Sequence, residues 1–266
     1  MTSQRPSPLP RSFLNRSGLA LLDAVAPRRC RLCQVIVRGD CALCGVCRGE
    51  LQHNRHPCAR CALPLPGPLP PATVNAPARL CPRCLAQPPQ LTAVVAPFVY
   101  DEALGFLVSR WKYHGEVALA HTFARLWLDA ASAPPAVDLL LPVPLHWRRL
   151  LARGFNQSAD LSELLGAQLE LPANPRRPVL RRVAATPAQA QADRHERLHN
   201  LRGVFALRGS VEGRRIALVD DVCTTGATAE AAARALLNGG AAAVYLWCVA
   251  RTPTHEPAWA RATLSR

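Results

Sequence analysis

Lysine is almost missing from this chain. Of its 32 basic residues only Lys112 is not an arginine. Long apolar runs are missing too. Nowhere are there the ~20 consecutive apolar residues that a membrane helix needs, so no membrane insertion is expected. The same shortage excludes a secretory signal near the start. There Leu19-Ala20-Leu21-Leu22 is cut short by Asp23 and then Arg28-Arg29. The expected location is cytoplasmic. Aromatic residues make up only 5% of the chain and are scarce among its cysteines, which argues against base-stacking platforms there. Apart from duplicated C-x-x-C pairs there is no internal repeat. No base-recognition signature and no carboxylate placed as a general base can be found. The histidines are scattered, as surface or structural residues are.

What is present bounds the fold. The chain has 266 residues, 49% of them hydrophobic, enough for one α/β domain with a small extra module. It is therefore not a disordered polyelectrolyte. The formal net charge of +14 is carried by arginine. Arginine pairs with phosphate in two-pronged fashion, which favours phosphate or nucleic-acid contact. Arginine, alanine and proline are also abundant together, as the composition of a GC-rich genome would make them.

Nine of the 11 cysteines lie between Cys30 and Cys84. Eight form the pairs Cys30/Cys33, Cys44/Cys47, Cys58/Cys61 and Cys81/Cys84. Each pair offers two thiolates from one tight turn, and two turns complete a tetrahedral Zn–S₄ site. Four pairs predict two structural Zn²⁺ ions rather than disulfides or an iron–sulfur cluster. The simplest pairing is sequential, and a cross-braced pairing of first with third is the alternative. Cys41 also makes a C-x-x-C with Cys44 and competes with Cys47. Cys223 and Cys248 stand alone, as core or loop residues do.

Composition divides the chain into a basic arm (1–29), a cysteine module (30–90), an α/β domain (91–252) and a tail (253–266). Within the α/β domain, residues 91–100 read as a strand interrupted by Pro97, and 101–113 and 117–131 as helices. A strand covers 137–143 and a helix 158–169. Residues 176–192 lack periodicity and read as a mobile loop. A short strand covers 204–207. The clearest unit is strand 214–220, a Thr/Gly loop, helix 227–238, Gly239-Gly240 and strand 242–250. Strands alternating with helices predict a parallel sheet flanked by helices.

Ile216-Ala217-Leu218-Val219 has the unbroken apolarity of a central parallel strand. Asp220 and Asp221 follow at its expected end, where ligands bind in open α/β sheets. Thr224-Thr225-Gly226-Ala227-Thr228 then opens an alanine-rich helix. A helix N-terminus offers unpaired N–H groups and partial positive charge, glycine allows close approach, and threonines add donors. That is a phosphate cup. The adjacent carboxylates suit the vicinal hydroxyls of a ribose, or Mg²⁺. In a purely structural role the aspartates would only cap a turn. The ordered string as a whole favours a sugar-phosphate site.

The string 219–228 resembles the signature of type I phosphoribosyltransferases, which bind phosphoribosyl pyrophosphate (PRPP). Trp111-Lys112-Tyr113-His114-Gly115, Pro142-Val143-Pro144-Leu145, Arg153-Gly154-Phe155-Asn156-Gln157-Ser158 and Thr186-Pro187-Ala188-Gln189 resemble the ComF/GntX-like subgroup, as do Arg197, Asn200 and Phe205. With the cysteines, these matches run from Cys30 to Arg251.

The resemblance implies a type I phosphoribosyltransferase-like domain behind a double zinc ribbon, with Cys44/Cys47 the second pair. It implies that Asp220 and Asp221 hold the ribose hydroxyls at the catalytic centre. Thr224, Thr225, Gly226, Ala227 and Thr228 would hold the 5′-phosphate. Arg153 and Lys112 are the pyrophosphate candidates, ahead of Arg148 and Arg149, which read better as solvated helix charges. Residues 181–197 resemble a loop that closes over PRPP, with Gln189, Arg194 and Arg197 as contacts. The family further implies a role in natural competence and uptake of single-stranded DNA. Three functions follow: a Mg²⁺-dependent phosphoribosyltransferase of unassigned acceptor, a single-stranded-DNA-binding competence factor, and a PRPP sensor.

Overall fold

The computed structural model describes residues 28–39, 41–67, 79–173, 179–183 and 203–253. Two compact units divide at Gly49/Glu50, inside the cysteine-rich stretch. The first unit, as far as described, is a tight turn facing a short helix. Arg29 bridges Ile36, Cys30 N–H donates to the Val35 carbonyl (2.8 Å), and Gln34 turns with φ 64°. Helix α1 (Gly45–Gly49) follows Cys44 and carries Cys47.

The second unit begins with the same device. Pro57 bridges Pro64, Cys58 N–H donates to the Leu63 carbonyl (2.8 Å), and Ala62 takes φ 52°. Helix α2 (Pro82–Ala86) is capped by Cys81 and carries Cys84. The chain then enters the sheet through β1 (Ala93–Val95) and β2 (Phe98–Val99). Pro97, with no N–H to give, lies between them, as the sequence predicts. Helices α3 (Glu102–Tyr113) and α4 (Leu119–Ala130) follow. Next come β3 (Leu139–Pro142), α5 (Trp147–Arg153) and α6 (Gln157–Leu169). Strands β4 (Leu180–Arg182) and β5 (Phe205–Leu207) form an antiparallel pair. Strand β6 (Arg215–Cys223), helix α7 (Ala227–Asn238) and strand β7 (Ala243–Arg251) complete the unit.

The main sheet is parallel, ordered β1-β7-β6-β3, with β2 also on β7. This is the parallel sheet flanked by helices that the sequence predicts. Its central strands are apolar on both faces because both are covered. Leu139, Leu141, Ile216, Leu218, Val244 and Leu246 join one buried cluster with Ala229, Ala232, Ala233 and Leu236 of α7. On the alternate positions Trp247 meets Trp127 of α4, ring centroids 4.8 Å apart, and Trp111 of α3 meets Phe123 (5.0 Å). Each large side chain so buried contributes roughly 1.5–3 kcal/mol.

Helix α6, which follows β3, packs on β3 and β6, whereas α7, which follows β6, packs on β7 and β5. The chain therefore leaves neighbouring strands β3 and β6 in different directions. The carboxyl ends of two such strands are the usual ligand position in open sheets.

Two features differ from the sequence reading. Residues 180–182, read as part of a mobile loop, form β4, because β5 supplies hydrogen-bond partners that local periodicity does not reveal. Strand β6 runs past residue 220 to Cys223, so both aspartates belong to the strand. The pairs Asp220↔Cys248, Val222↔Ala250 and Cys223↔Arg251 carry it on. Helix α5 carries Arg148 and Arg149; its turn is started by His146, whose Nδ1 accepts the Arg148 N–H (3.3 Å). Among the described residues no helix is long and apolar enough to cross a membrane.

Candidate functional site

The last residues of β6 bring two carboxylates to the carboxyl edge of the sheet. Asp221 is 6% exposed, and its Oδ2 is paired with the Lys112 ammonium at the end of α3. Asp220 Oδ1 accepts the Ser158 hydroxyl (2.9 Å) and the Asp221 N–H (3.0 Å). Burial and the adjacent Asp221 push Asp220 up to about 8, against the pull of Lys112 and the Ser158 hydroxyl. Burial alone would lower Lys112, yet the facing carboxylates of Asp221 and Asp220 hold it above its ordinary value. Once both ionise, the two carboxylates carry more charge than the one ammonium neutralises, which favours another cation or hydroxyl donors.

The Thr/Gly string lies directly beyond. Gly226 adopts φ 76°, a left-handed conformation that suits glycine, and α7 starts at the next residue. The N-cap residue Gly226 itself makes no side-chain cap. Thr225 Oγ1 accepts the Ala227 N–H (3.3 Å). Thr225 thus holds the first N–H of the helix, and the helix N-terminus, where anions are favoured, lies within a few residues of the carboxylate pair.

Arg153, Gln157 and Ser158 form the wall next to this edge. Arg153 donates to Gln157 Oε1 (2.6 Å) and lies over the Tyr113 ring, 5.2 Å from its centroid. Gly154 ends α5 with φ 83°, and Asn156 starts α6 by accepting the Ser158 N–H (3.2 Å). Asn156 also donates to the Val143 carbonyl (3.2 Å), fixing α6 to the end of β3. Arg153, Lys112, Asp220 and Asp221 thereby come together around Tyr113, Gln157 and Ser158. In this arrangement Lys112 is already the counter-ion of the acid pair. Arg148 and Arg149 are exposed on α5. Gln189, Arg194 and Arg197 lie outside the described residues.

Two contributors escaped the sequence reading. Ser158 stood inside the Arg153–Ser158 string, but nothing local marked it as the partner of Asp220. Arg182 is the other. Burial and the Arg149 charge lower it and Asp220 acts to raise it, placing this basic side chain within the field of the acid pair.

The cysteines form two groups. Cys30, Cys33, Cys44 and Cys47 make one, and Cys58, Cys61, Cys81 and Cys84 the other, with all ligand atoms of a group within 4.8 Å. Cys41 belongs to neither. The donor chemistry fits a thiophilic ion. Cys47 N–H donates to Cys44 Sγ (3.4 Å), and Cys84 N–H to Cys81 Sγ (3.4 Å). Burial opposes ionisation of Cys58, but backbone N–H groups of Cys61, Cys81 and Arg60 bring it down to about 7. Cys30, similarly placed, falls to about 6.

Two family models match separate stretches of the chain. A double zinc ribbon model matches residues 21–85, and a phosphoribosyl transferase domain model matches residues 162–262. The DNA utilization protein YhgH of Escherichia coli K12 is 34% identical over 233 residues, covering 85% of this chain and 98% of that one. The chain belongs to the ComF/GntX-like family. Competence protein F of Haemophilus influenzae, 33% identical, covers 65% of the chain and 79% of its own length. A purine phosphoribosyltransferase structure from Pyrococcus horikoshii is similar over 57% of this chain and 92% of its own. It is 18% identical with a TM-score of 0.27. The fold of this ComF-like protein is read from its own sheet order and the domain match.

Proposed function

We propose that the sheet unit of this ComF-like protein binds PRPP together with Mg²⁺. The observation that carries this is the juxtaposition of the buried pair Asp220/Asp221 with the glycine-started end of α7. A carboxylate pair accepts a ribose diol, and the helix end receives the 5′-phosphate through backbone N–H groups. Arg153 and Lys112 supply positive charge for the pyrophosphate, whose departure from C1 leaves a positively charged sugar. Gln189 and Arg197, on the segment between β4 and β5, are further contacts in this reading. Asp220 and Asp221 fit Mg²⁺ as hard oxygen donors; when bound, the ion would neutralise pyrophosphate charge. The two cysteine groups hold structural Zn²⁺.

Calorimetry of the zinc-loaded protein with PRPP and Mg²⁺ is the test. Binding that Asp220→Asn/Asp221→Asn abolishes is expected, and no heat at millimolar PRPP sinks the proposal. Pyrophosphate release in the presence of an acceptor assigns a phosphoribosyltransferase, and binding without release assigns a sensor.

A second reading is supported by a cavity of about 580 Å³ beside the end of β3, lined by Trp147, Leu150, Asn156, Arg181, Arg182 and Arg208 among others. Trp147 is 57% exposed, with the Arg148 guanidinium 5.3 Å from its ring centroid. An exposed aromatic amid arginines is the pattern that stacks bases and tracks phosphates. Together with the relatives' names, this supports single-stranded DNA handling in competence, a cytoplasmic step. Oligonucleotide binding that weakens steeply with salt and is lost in Trp147→Ala is expected.

A further inference from the structure

Arg251, the last residue of β7, is 2% exposed although it is charged. Among the described residues no carboxylate forms an ion pair with it. Four backbone carbonyls surround it instead. Its Nε donates to Cys61 (3.0 Å), and its Nη1 to Cys223 (2.9 Å), Thr224 and Thr252 (2.8 Å). One of these acceptors belongs to a cysteine of the second tetrad. Two belong to the segment that leads into the glycine-started helix end. A buried guanidinium is retained only where acceptors surround its N–H groups, and here both regions supply acceptors to Nε and Nη1.

The peptide group is planar and trans, so its N–H points opposite to its C=O. Holding the Cys223 and Thr224 carbonyls on Arg251 turns the N–H groups of Thr224 and Thr225 away from it. Those donors are thereby fixed before any anion arrives. The other end of the contact is equally constrained. The Cys61 carbonyl precedes Ala62, whose left-handed conformation closes the turn carrying Cys58 and Cys61. Asn54 Nδ2 ties that turn to the sheet through the Ala62 (2.8 Å) and Ala96 (3.2 Å) carbonyls. Arg60 adds contacts to the Leu91 and Thr92 carbonyls, both 3.3 Å.

We propose that Arg251 is a positioning residue for the phosphate cup, linking occupancy of the second cysteine tetrad to the cup's grip on phosphorylated ligands. The ligand half of this statement rests on the PRPP reading above; the link to the loop does not. An empty tetrad frees the Cys61 carbonyl, Arg251 loses one anchor, and the donors at 224–225 lose their fixed direction.

The test uses full-length protein with both metals bound. In Arg251→Met, amide exchange of residues 223–228 should accelerate at least about tenfold, the scale of one charge-assisted hydrogen bond. Exchange in α4 and α6, and metal content, should stay as in the parent. PRPP affinity should fall by a similar factor, with Arg251→Lys partly restoring both properties. In the parent, chelation of the second metal should produce the same local acceleration, and in Arg251→Met it should add little. Unchanged exchange at 223–228 in Arg251→Met overturns the proposal, as does an equal effect of chelation with and without Arg251. Should Arg251→Met fail to fold, Arg251→Lys and chelation of the parent decide by the same segment. If the parent binds no PRPP, the ligand reading fails, while amide exchange still judges the link.

Discussion

The two cysteine tetrads share one local design and differ in what surrounds them. In each, the residue after the second cysteine, Gln34 or Ala62, turns left-handed. In each, the third cysteine accepts the N–H of the fourth at 3.4 Å. Yet Cys33 is exposed and Cys44 and Cys47 are partly so, whereas Cys58, Cys61, Cys81 and Cys84 are all buried. The second tetrad packs with Leu63, Leu65 and Leu80 and is stitched to the sheet by Asn54, Arg60 and Arg251. A duplicated metal motif has thus become, in one copy, part of the core that carries the ligand site. The other copy belongs to a separate compact unit.

Breaking each tetrad in turn gives the largest expected contrast. Cys58→Ser should remove one zinc and destabilise the sheet unit by several kcal/mol, since metal binding is folding free energy for its ligands. Cys33→Ser should also remove one zinc but leave the sheet unit's thermal midpoint within about 2 °C. Elemental analysis with calorimetric melting checks both. Equal losses of stability would erase the distinction.

Change at the carboxylate pair should spare both tetrads. Asp221→Asn removes the partner of Lys112 and should weaken PRPP at least about 30-fold, the order of one buried charged contact. Zinc content should remain two per chain. Isothermal calorimetry with elemental analysis reads this.

Chelation should separate the tetrads in time. A chelator should strip the more exposed first tetrad at least about tenfold faster than the buried second one, because local opening costs less there. PRPP binding should survive the fast phase and weaken with the slow one. Release followed by a metallochromic dye, sampled for binding, tests the order.

The smallest effect is that of pH. In the unfolded chain Asp220 loses its proton near pH 4, and in the fold near about 8. Between these values the native state holds the extra proton, so Asp220 makes stability fall as pH rises across that window. PRPP affinity should move the other way, rising towards pH 8 as the carboxylate ionises to accept the ribose hydroxyls. Asp220→Asn should flatten the stability slope. Denaturant melts and calorimetry between pH 6 and 8.5 measure the two trends.

Much of this was legible in the residues. The apolar run 216–219 marked a covered strand because a central parallel strand is buried on both faces. Gly226 marked the turn before α7 because a positive φ there favours glycine. The C-x-x-C spacing marked metal ligands because two thiols must leave one turn together. Other features had no local signature. Strand β4 depends on β5, whose Leu207 pairs with Leu180 from 27 residues away, a pairing set by the fold rather than by periodicity. The extension of β6 through Asp220 and Asp221 depends on partners in β7.

The sequence by itself determined the chemistry available: eight paired thiols, two adjacent carboxylates, a glycine-started helix and one lysine. Tertiary structure decided which groups meet. It sorted the thiols into two tetrads without Cys41, set Lys112 on Asp221 and Ser158 on Asp220, and placed Arg251 between the second tetrad and the phosphate cup. Local sequence fixes turns and strand faces through backbone sterics and burial pattern. Contacts such as Cys61 to Arg251 join residues far apart in the chain, and only the packed sheet brings their donors and acceptors within reach.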